Sequence, residues 1–558
     1  MKTKSLISPL LLLCLPIAYL ISHGFLSHQK GNFWWTVNQD PDYAYLLNSL
    51  IVANFEAPGH VDHPGTPMQI LGTIVLRVGY FFSSVWATSP TNLTDSVLTN
   101  PESYLYWIND TLVVLAALSL LVVGLGSLLL SNHLGLSLLL QTTPFITVRT
   151  LAVNEASRVA PEPLLFCISQ LLVLLLVAYW YDKTADRSRW FALGIGVIFG
   201  LGMATKITFV PMVFFFLLVA GWRGKLLAIV AAIATFLLAT FPIIPYYSGV
   251  LDWIVTLTTH TGLYGTGERG FVETDSFASH LNNIFVRNQN FIGVFLLFNL
   301  LCFLAVAYFW SNRRSFVSPA IANHRNRTLC FLSVVVGLVV WGQILITAVE
   351  NSSARYLVPS VGLAGFLIFL SLHLLDFLIL RRTIFRDRSI LITSTIALVL
   401  CSAIGINQVD QAFTSIARRS TVYERELAQL DTILTTNSDY QTCGKVMAKR
   451  FSSVESALYF GDIWTNARGL KGGAVFAERL NQLYPNTVFY NEPRDDQESY
   501  SSYTETVSLE RLTTPQRNCV LLLIAPFTGR REKFKPSVKF DVVFEGRTQA
   551  LYHLKPFS

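Results

Sequence analysis

Blocks of about 20 apolar residues recur along most of the chain, separated by short basic tracts, and about 20 helical residues cross the ~30 Å hydrocarbon core of a bilayer. Of the 558 residues, 52% are hydrophobic and 14% charged, and the mean hydropathy is +0.47, which is too apolar for an ordinary water-soluble protein. Because lipid satisfies no backbone polar groups, the blocks predict a helical bundle. We place about 11 spans near residues 5–25, 105–130, 134–153, 163–181, 190–205, 207–222, 226–248, 291–310, 328–349, 356–379 and 389–407. The first follows Lys2 and Lys4, lacks a small-x-small cleavage site, and is read as a retained span rather than a signal peptide.

With the N-terminus inside, one side collects the basic loops: Lys183, Arg187 and Arg189; Arg223 and Lys225; Arg313, Arg314, Arg325 and Arg327; Arg381, Arg382, Arg386 and Arg388. That is the cytoplasmic signature, and it accounts for most of the net charge of +7, which therefore gives no reason to expect nucleic-acid binding. Merging the segments on either side of Lys206 would invert every later loop, so they are kept as two spans. The polar loops lie on the opposite side, and an odd number of spans puts the tail there too.

Two domains are expected: residues 1–407 as a transmembrane domain, with a first outer loop over 26–104, and 408–558 as an extracytoplasmic α/β domain. The tail carries strand-like runs at CGKVMAKR, NTVFYNE, NCVLLLIAP and KFDVVFEGRTQALYHL, and helical periodicity at VFAERLNQLYP. The fold class is thus mainly α, a polytopic bundle with a small α/β domain. Of seven cysteines, Cys14, Cys167, Cys302, Cys330 and Cys401 lie in apolar runs, whereas Cys443 and Cys519 lie in the tail and can pair in an oxidising compartment. No GxxxxGK[ST] sequence occurs, which argues against an ATP-driven pump, and no nucleotide cofactor is expected.

The outer loops hold the candidates for chemistry. Two amphipathic segments, 42–55 and 67–84, read as too short or interrupted to span and rich in flanking aromatics, are placed in the membrane interface. The first opens on Asp40, Pro41 and Asp42: a carboxylate there either caps the helix or serves as a general base. His60, Asp62 and His63 precede the second; HVDH offers metal ligands, but without the i, i+4 spacing of a helical pair, and the prolines after it favour a rigid turn. Glu155, Arg158 and Glu162 cluster in one short loop, as substrate-binding groups or as an exposed salt bridge. Lys206 and Arg355 end spans on this side, either snorkelling or holding a lipid phosphate. The 249–290 stretch, with His260, Tyr264, GTGERG and Arg269 within it, Glu273 and Asp275, is either a lid or a plain connection; no strand-turn-helix context makes GTGERG a nucleotide fingerprint.

Taken in order, QDPDYAYL, HPGTPMQIL, SRVAPEPLLF, ATKITFVP and ARYLVP resemble the motifs of the GT-C superfamily of polytopic glycosyltransferases, which includes protein O-mannosyltransferases and lipid A aminoarabinose transferases. Those enzymes take a sugar from a polyprenyl phosphate. The resemblance implies Asp40 as general base with Asp42 supporting it or taking its place, His63 shaping the cavity, and Glu162 orienting substrate or a metal ion. It further implies Lys206 and Arg355 neutralising the leaving phosphate, with Tyr356 beside them. Asp42 and Glu162 are the candidates for a divalent cation. Pro41 stands where the family often has Glu, and HPG replaces HPP, so the choice between the two aspartates stays open.

The implied partners are a polyprenyl-phosphate-sugar donor, a lipid, glycan or protein acceptor, and membrane lipids. The implied setting is a bacterial inner membrane, with the active site and tail in the periplasm. Two rival functions are a transporter or flippase for a polar lipid or solute, which predicts ionisable groups in mid-span, and a scaffold displaying the tail.

Overall fold

The computed structural model describes residues 7–35, 39–61, 64–86, 92–147, 158–182, 188–262, 265, 267–270, 272–311, 324–350, 352–379, 386–448, 451–465, 474–485, 487–490, 499–501, 506–508, 519–524 and 539–555. The chain begins with α1 (Ile7–Leu11) and α2 (Cys14–Lys30), then the loop helices α3 (Gln39–Ala53), α4 (Thr66–Trp86) and α5 (Leu93–Thr99). The bundle continues with α6 (Pro101–Ser131), the short α7 (Leu134–Gln141) and α8 (Thr143–Ile146), α9 (Pro161–Tyr181) and α10 (Arg189–Thr205). A 3-10 helix (Ile207–Leu218) leads to α11 (Gly221–Ala239), α12 (Tyr247–Thr259), α13 (Thr274–Arg287), α14 (Gln289–Ser311) and α15 (His324–Glu350). After them come α16 (Val358–Val361), α17 (Ala364–Ile379), α18 (Arg386–Thr436) and α19 (Ser438–Gln441).

Among the described residues, eight helices are long and apolar enough to cross a membrane, and a ninth crossing follows if the pair bent by 47° around residues 362–363 is one span. The protein is an integral membrane protein. All eleven expected segments are helical, but three are short. The 134–153 segment is two small helices in its described part, and α10 has 17 residues. The 207–222 segment is a 12-residue 3-10 helix, whose ~2 Å rise per residue lets it reach about as far as 16 α-helical residues.

The interfacial reading of α4 needs one correction: it is an unbroken helix of 21 residues, long enough to span. It packs on α3 and α6: a Cβ on Gly72 would meet Ser49, and one on Gly79 the Trp107 ring. Phe81, Phe82 and Val85 are left exposed.

Glycines fix one close approach that matters below. A Cβ on Gly196 or Gly200 would lie 2.2 Å from the carbonyl oxygen of Ala228 or Ala232, so α10 and α11 pack backbone to backbone through a small-xxx-small stripe. The 249–290 stretch is mostly helix rather than loop. Residues 247–259 form α12 and 274–287 form α13, and His280 Nδ1 lies 2.9 Å from the Ala348 carbonyl near the end of α15.

The tail contains β1 (Gly444–Ala448), α20 (Val454–Ile463), α21 (Ala477–Leu483), β2 (Thr487–Tyr490), β3 (Ser499–Ser501), β4 (Thr506–Ser508), β5 (Val520–Ile524), β6 (Phe540–Glu545) and β7 (Ala550–Leu554). Five strands form one sheet in the order β2-β1-β5-β7-β6. The first three are parallel and the last two run antiparallel, in register Val446↔Val488, Gly444↔Val520 and Val520↔Leu554. Every expected strand run is present, while α20 and the β3–β4 hairpin were not expected. The central β5, VLLLI, is buried throughout, as a strand covered on both faces should be. Cys443 and Cys519 form a disulfide at the heads of β1 and β5.

No break separates the bundle from the tail. α18 runs 51 residues through position 408, Tyr423 stacks on Trp35 with centroids 5.9 Å apart, and Glu426 accepts from the Arg547 and Thr548 amides at 2.6 and 2.9 Å. α20 docks directly on α3: Asn48 Nδ2 donates to the Trp464 carbonyl at 3.1 Å. Gly461 sits so close that a Cβ there would lie 2.6 Å from the Tyr43 carbonyl oxygen. Gly461→Val is therefore expected to lower stability by about 1–3 kcal/mol, read as a drop in melting temperature in detergent; an unchanged melting curve would show that this contact is not made.

Candidate active site

The charged residues meet at one end of the bundle because the chain folds them there from five helix ends. α9 starts on Pro161 at its first position, where proline's missing N–H and fixed φ cost nothing, and Glu162 follows in the first turn. α10 ends at Lys206, whose backbone is extended. α15 ends shortly before Arg355 and Tyr356. The break near Pro359 exposes carbonyls, which α9 satisfies: Ser169 Oγ donates to Pro359 at 3.1 Å and Gln170 Nε2 to Gly362 at 2.8 Å. Gln343 closes the ring by donating to the Thr208 and Tyr356 carbonyls at 2.9 and 2.6 Å.

Lys206 Nζ donates to Glu162 Oε1, and both side chains are almost wholly buried. The ammonium also lies 5.0 Å from the centre of the Tyr356 ring, and the Arg355 guanidinium lies 5.2 Å from the same ring, within the range of cation–π attraction. Arg355 is within electrostatic reach of Glu162 and is only half-buried. Of these three charged groups Arg355 is the most accessible. Lys206, a candidate for neutralising a lipid phosphate, lies against Glu162.

A second ion pair holds the first outer loop. Asp42 is completely buried; its Oδ1 accepts from the Val159 amide and its Oδ2 from Arg158 Nε at 3.5 Å. It therefore ties α3 to the start of α9 rather than capping its own helix. Burial pushes the Asp42 carboxyl above the usual carboxylate range, against the opposing pull of Arg158, Lys30 and the Val159 N–H. The sign follows: a raised folded pKa contributes stability that is present below the unfolded value near 4 and lost as pH rises through the folded one. Melting temperatures of wild type and Asp42→Asn, compared from pH 4 upward, should show wild type losing stability relative to the variant across that window. Parallel curves would refute it.

Asp40 is different. It precedes the helical turn, with φ −107° and ψ 118°, and is exposed. The two aspartates flanking Pro41 are thus one buried tie and one accessible carboxylate.

Glu102 is a partly buried carboxylate near Asp42 that the sequence reading passed over. Its carboxylate accepts from the Tyr43 hydroxyl at 2.6 Å and from the Phe33 amide at 2.8 Å. Burial and the Glu102 carboxylate hold the Tyr43 phenol well above its ordinary range. The signal was available: Pro101-Glu102 and Pro161-Glu162 are the same Pro-Glu pair opening two spans.

His63, Asp62, Glu155 and Tyr264 lie outside the described residues. His60 packs between the rings of Tyr45 and Trp464, at 5.0 and 5.4 Å. His260 and Arg269 pair with each other across a turn as an isolated β-bridge. Among the described residues no group of three metal-ligating side chains occurs. Asp42 and Glu162 face Arg158 and Lys206.

No family model matches the chain, and no curated protein matches it. It is similar to solved structures of ArnT from Cupriavidus metallidurans. The structure bound to undecaprenyl phosphate is 11% identical, with 97% of each chain covered and a TM-score of 0.47. The apo structure is 12% identical, with 93% of this chain and 95% of that chain covered and a TM-score of 0.47.

Proposed function

We propose that this protein is a membrane glycosyltransferase that moves a sugar from a polyprenyl-phosphate donor to an acceptor on the extracytoplasmic side, with inversion at the anomeric carbon. One observation carries the reading: the exposed Asp40 is two residues from the buried Asp42, which pairs with Arg158, and Arg158 is four residues before Glu162, whose cluster has the Arg355 guanidinium as its most accessible group. An accessible carboxylate and an accessible cation at one end of a membrane bundle are what a base and a phosphate site require. The five motifs resembling the GT-C pattern support the same assignment.

In this mechanism Asp40 takes the acceptor hydroxyl proton as its oxygen attacks the anomeric carbon. The bond from that carbon to the phosphate oxygen breaks on the opposite face, and polyprenyl phosphate leaves with the electron pair. Its growing negative charge is met by Arg355, which the Tyr356 ring holds in place, while the Glu162–Lys206 pair braces α9 against α10. Attack from one face and departure from the other invert the centre. In this reading an odd number of crossings puts these groups and the tail on the outer side.

The deciding experiment incubates purified protein in detergent with a panel of polyprenyl-phosphate sugars and measures polyprenyl phosphate. Acceptor-dependent release is expected, and no release from any donor would overturn the proposal.

A further inference from the structure

A recess of about 370 Å³ opens between the end of α8 at Thr147, the junction of α13 and α14, and α18. It lies at the same end of the bundle as the charged cluster, since α13 is tied to the last turn of α15, just before Arg355. Its walls are rich in carboxamides. Asn288, Gln289 and Asn290 come from the junction, Gln408 and Gln411 from α18, and among the described residues Arg287 is the single charged residue lining it.

We propose that this recess binds the carbohydrate part of the acceptor, an assignment that rests on the glycosyltransferase reading. Each carboxamide offers two donors and an acceptor with no net charge, matching sugar hydroxyls, which also donate and accept. A phosphate or carboxylate head would call for more than one cation; the lone Arg287 instead suits a neutral glycan or one carrying a single anionic group. The volume is at the lower end for a small-molecule site, large enough for a short sugar and too small for a folded protein domain.

Native mass spectrometry of the full-length protein, purified in a detergent without sugar, reads the site independently of catalysis. The probes are dodecyl maltoside and dodecylphosphocholine, which share a tail and differ in the head. Wild type should retain dodecyl maltoside at one per chain in preference to dodecylphosphocholine. Gln408→Leu/Gln411→Leu and, separately, the exposed Arg287→Gln should weaken that retention, the double variant by about tenfold. Equal retention of the two probes, or retention unchanged in both variants, overturns the carbohydrate site. Retention lost while the acceptor KM stays unchanged overturns its role for the acceptor; a raised acceptor KM with donor KM and kcat unchanged supports it. If wild type releases no polyprenyl phosphate, the glycosyltransferase reading fails, and the retention arm still decides whether the recess binds sugar.

Discussion

Asp40→Asn is expected to lower the rate of polyprenyl phosphate release by about 10²- to 10⁴-fold, the range for loss of a positioned general base. The donor KM should stay close to wild type, because the carboxylate acts on the acceptor proton and not on the phosphate. The amide keeps the size and polarity of the side chain at an exposed position, so stability should be unaffected and the melting temperature serves as control. Asp42→Asn separates the two aspartates: its carboxylate is buried and engaged by Arg158 and Val159, so its loss should show first in stability and its pH dependence. If Asp40→Asn retains full activity while Asp42→Asn abolishes it in a folded protein, the base has been assigned to the wrong carboxylate.

The second large effect concerns the Glu162–Lys206 pair. Both side chains are 2–3% exposed, and removing one partner of a buried ion pair leaves an uncompensated charge, at a cost of about 3–5 kcal/mol. Lys206→Met should therefore destabilise the protein strongly, as should Glu162→Gln. The double variant should recover most of that loss, because two neutral side chains of similar size carry no stranded charge. Thermal unfolding in one detergent compares all four proteins. A double variant as unstable as the sum of the singles would mean that the two residues are not coupled. Whatever its stability, the double variant should transfer poorly, since α9 and α10 would no longer be braced beside Arg355.

Much of the architecture is legible along the chain because it depends on local periodicity. A run such as LLVLLLVAYW is apolar on all sides and therefore buried or lipid-facing, and VLLLI between polar breaks is a buried strand. The tail strands and most long spans follow from such patterns. The short crossings were harder, because their length depends on helix type: ITFVPMVFFFLL is a 3-10 helix in which Pro211 lies, and nothing in its hydropathy distinguishes that from an α-helix.

By itself, then, the sequence determined that the chain enters a membrane, which positions are apolar enough to cross it, and that the acidic and basic side chains of the outer loops fall on one side. Tertiary structure alone decided their surroundings. Asp42 and Arg158 are 116 positions apart and Lys206 and Glu162 are 44 apart; a carboxylate becomes a buried tie or an accessible base according to what packs against it, and charge, spacing and periodicity do not record that. Asp40 and Asp42 are chemically identical and two residues apart, yet the turn at Pro41 leaves one exposed and buries the other against the start of α9.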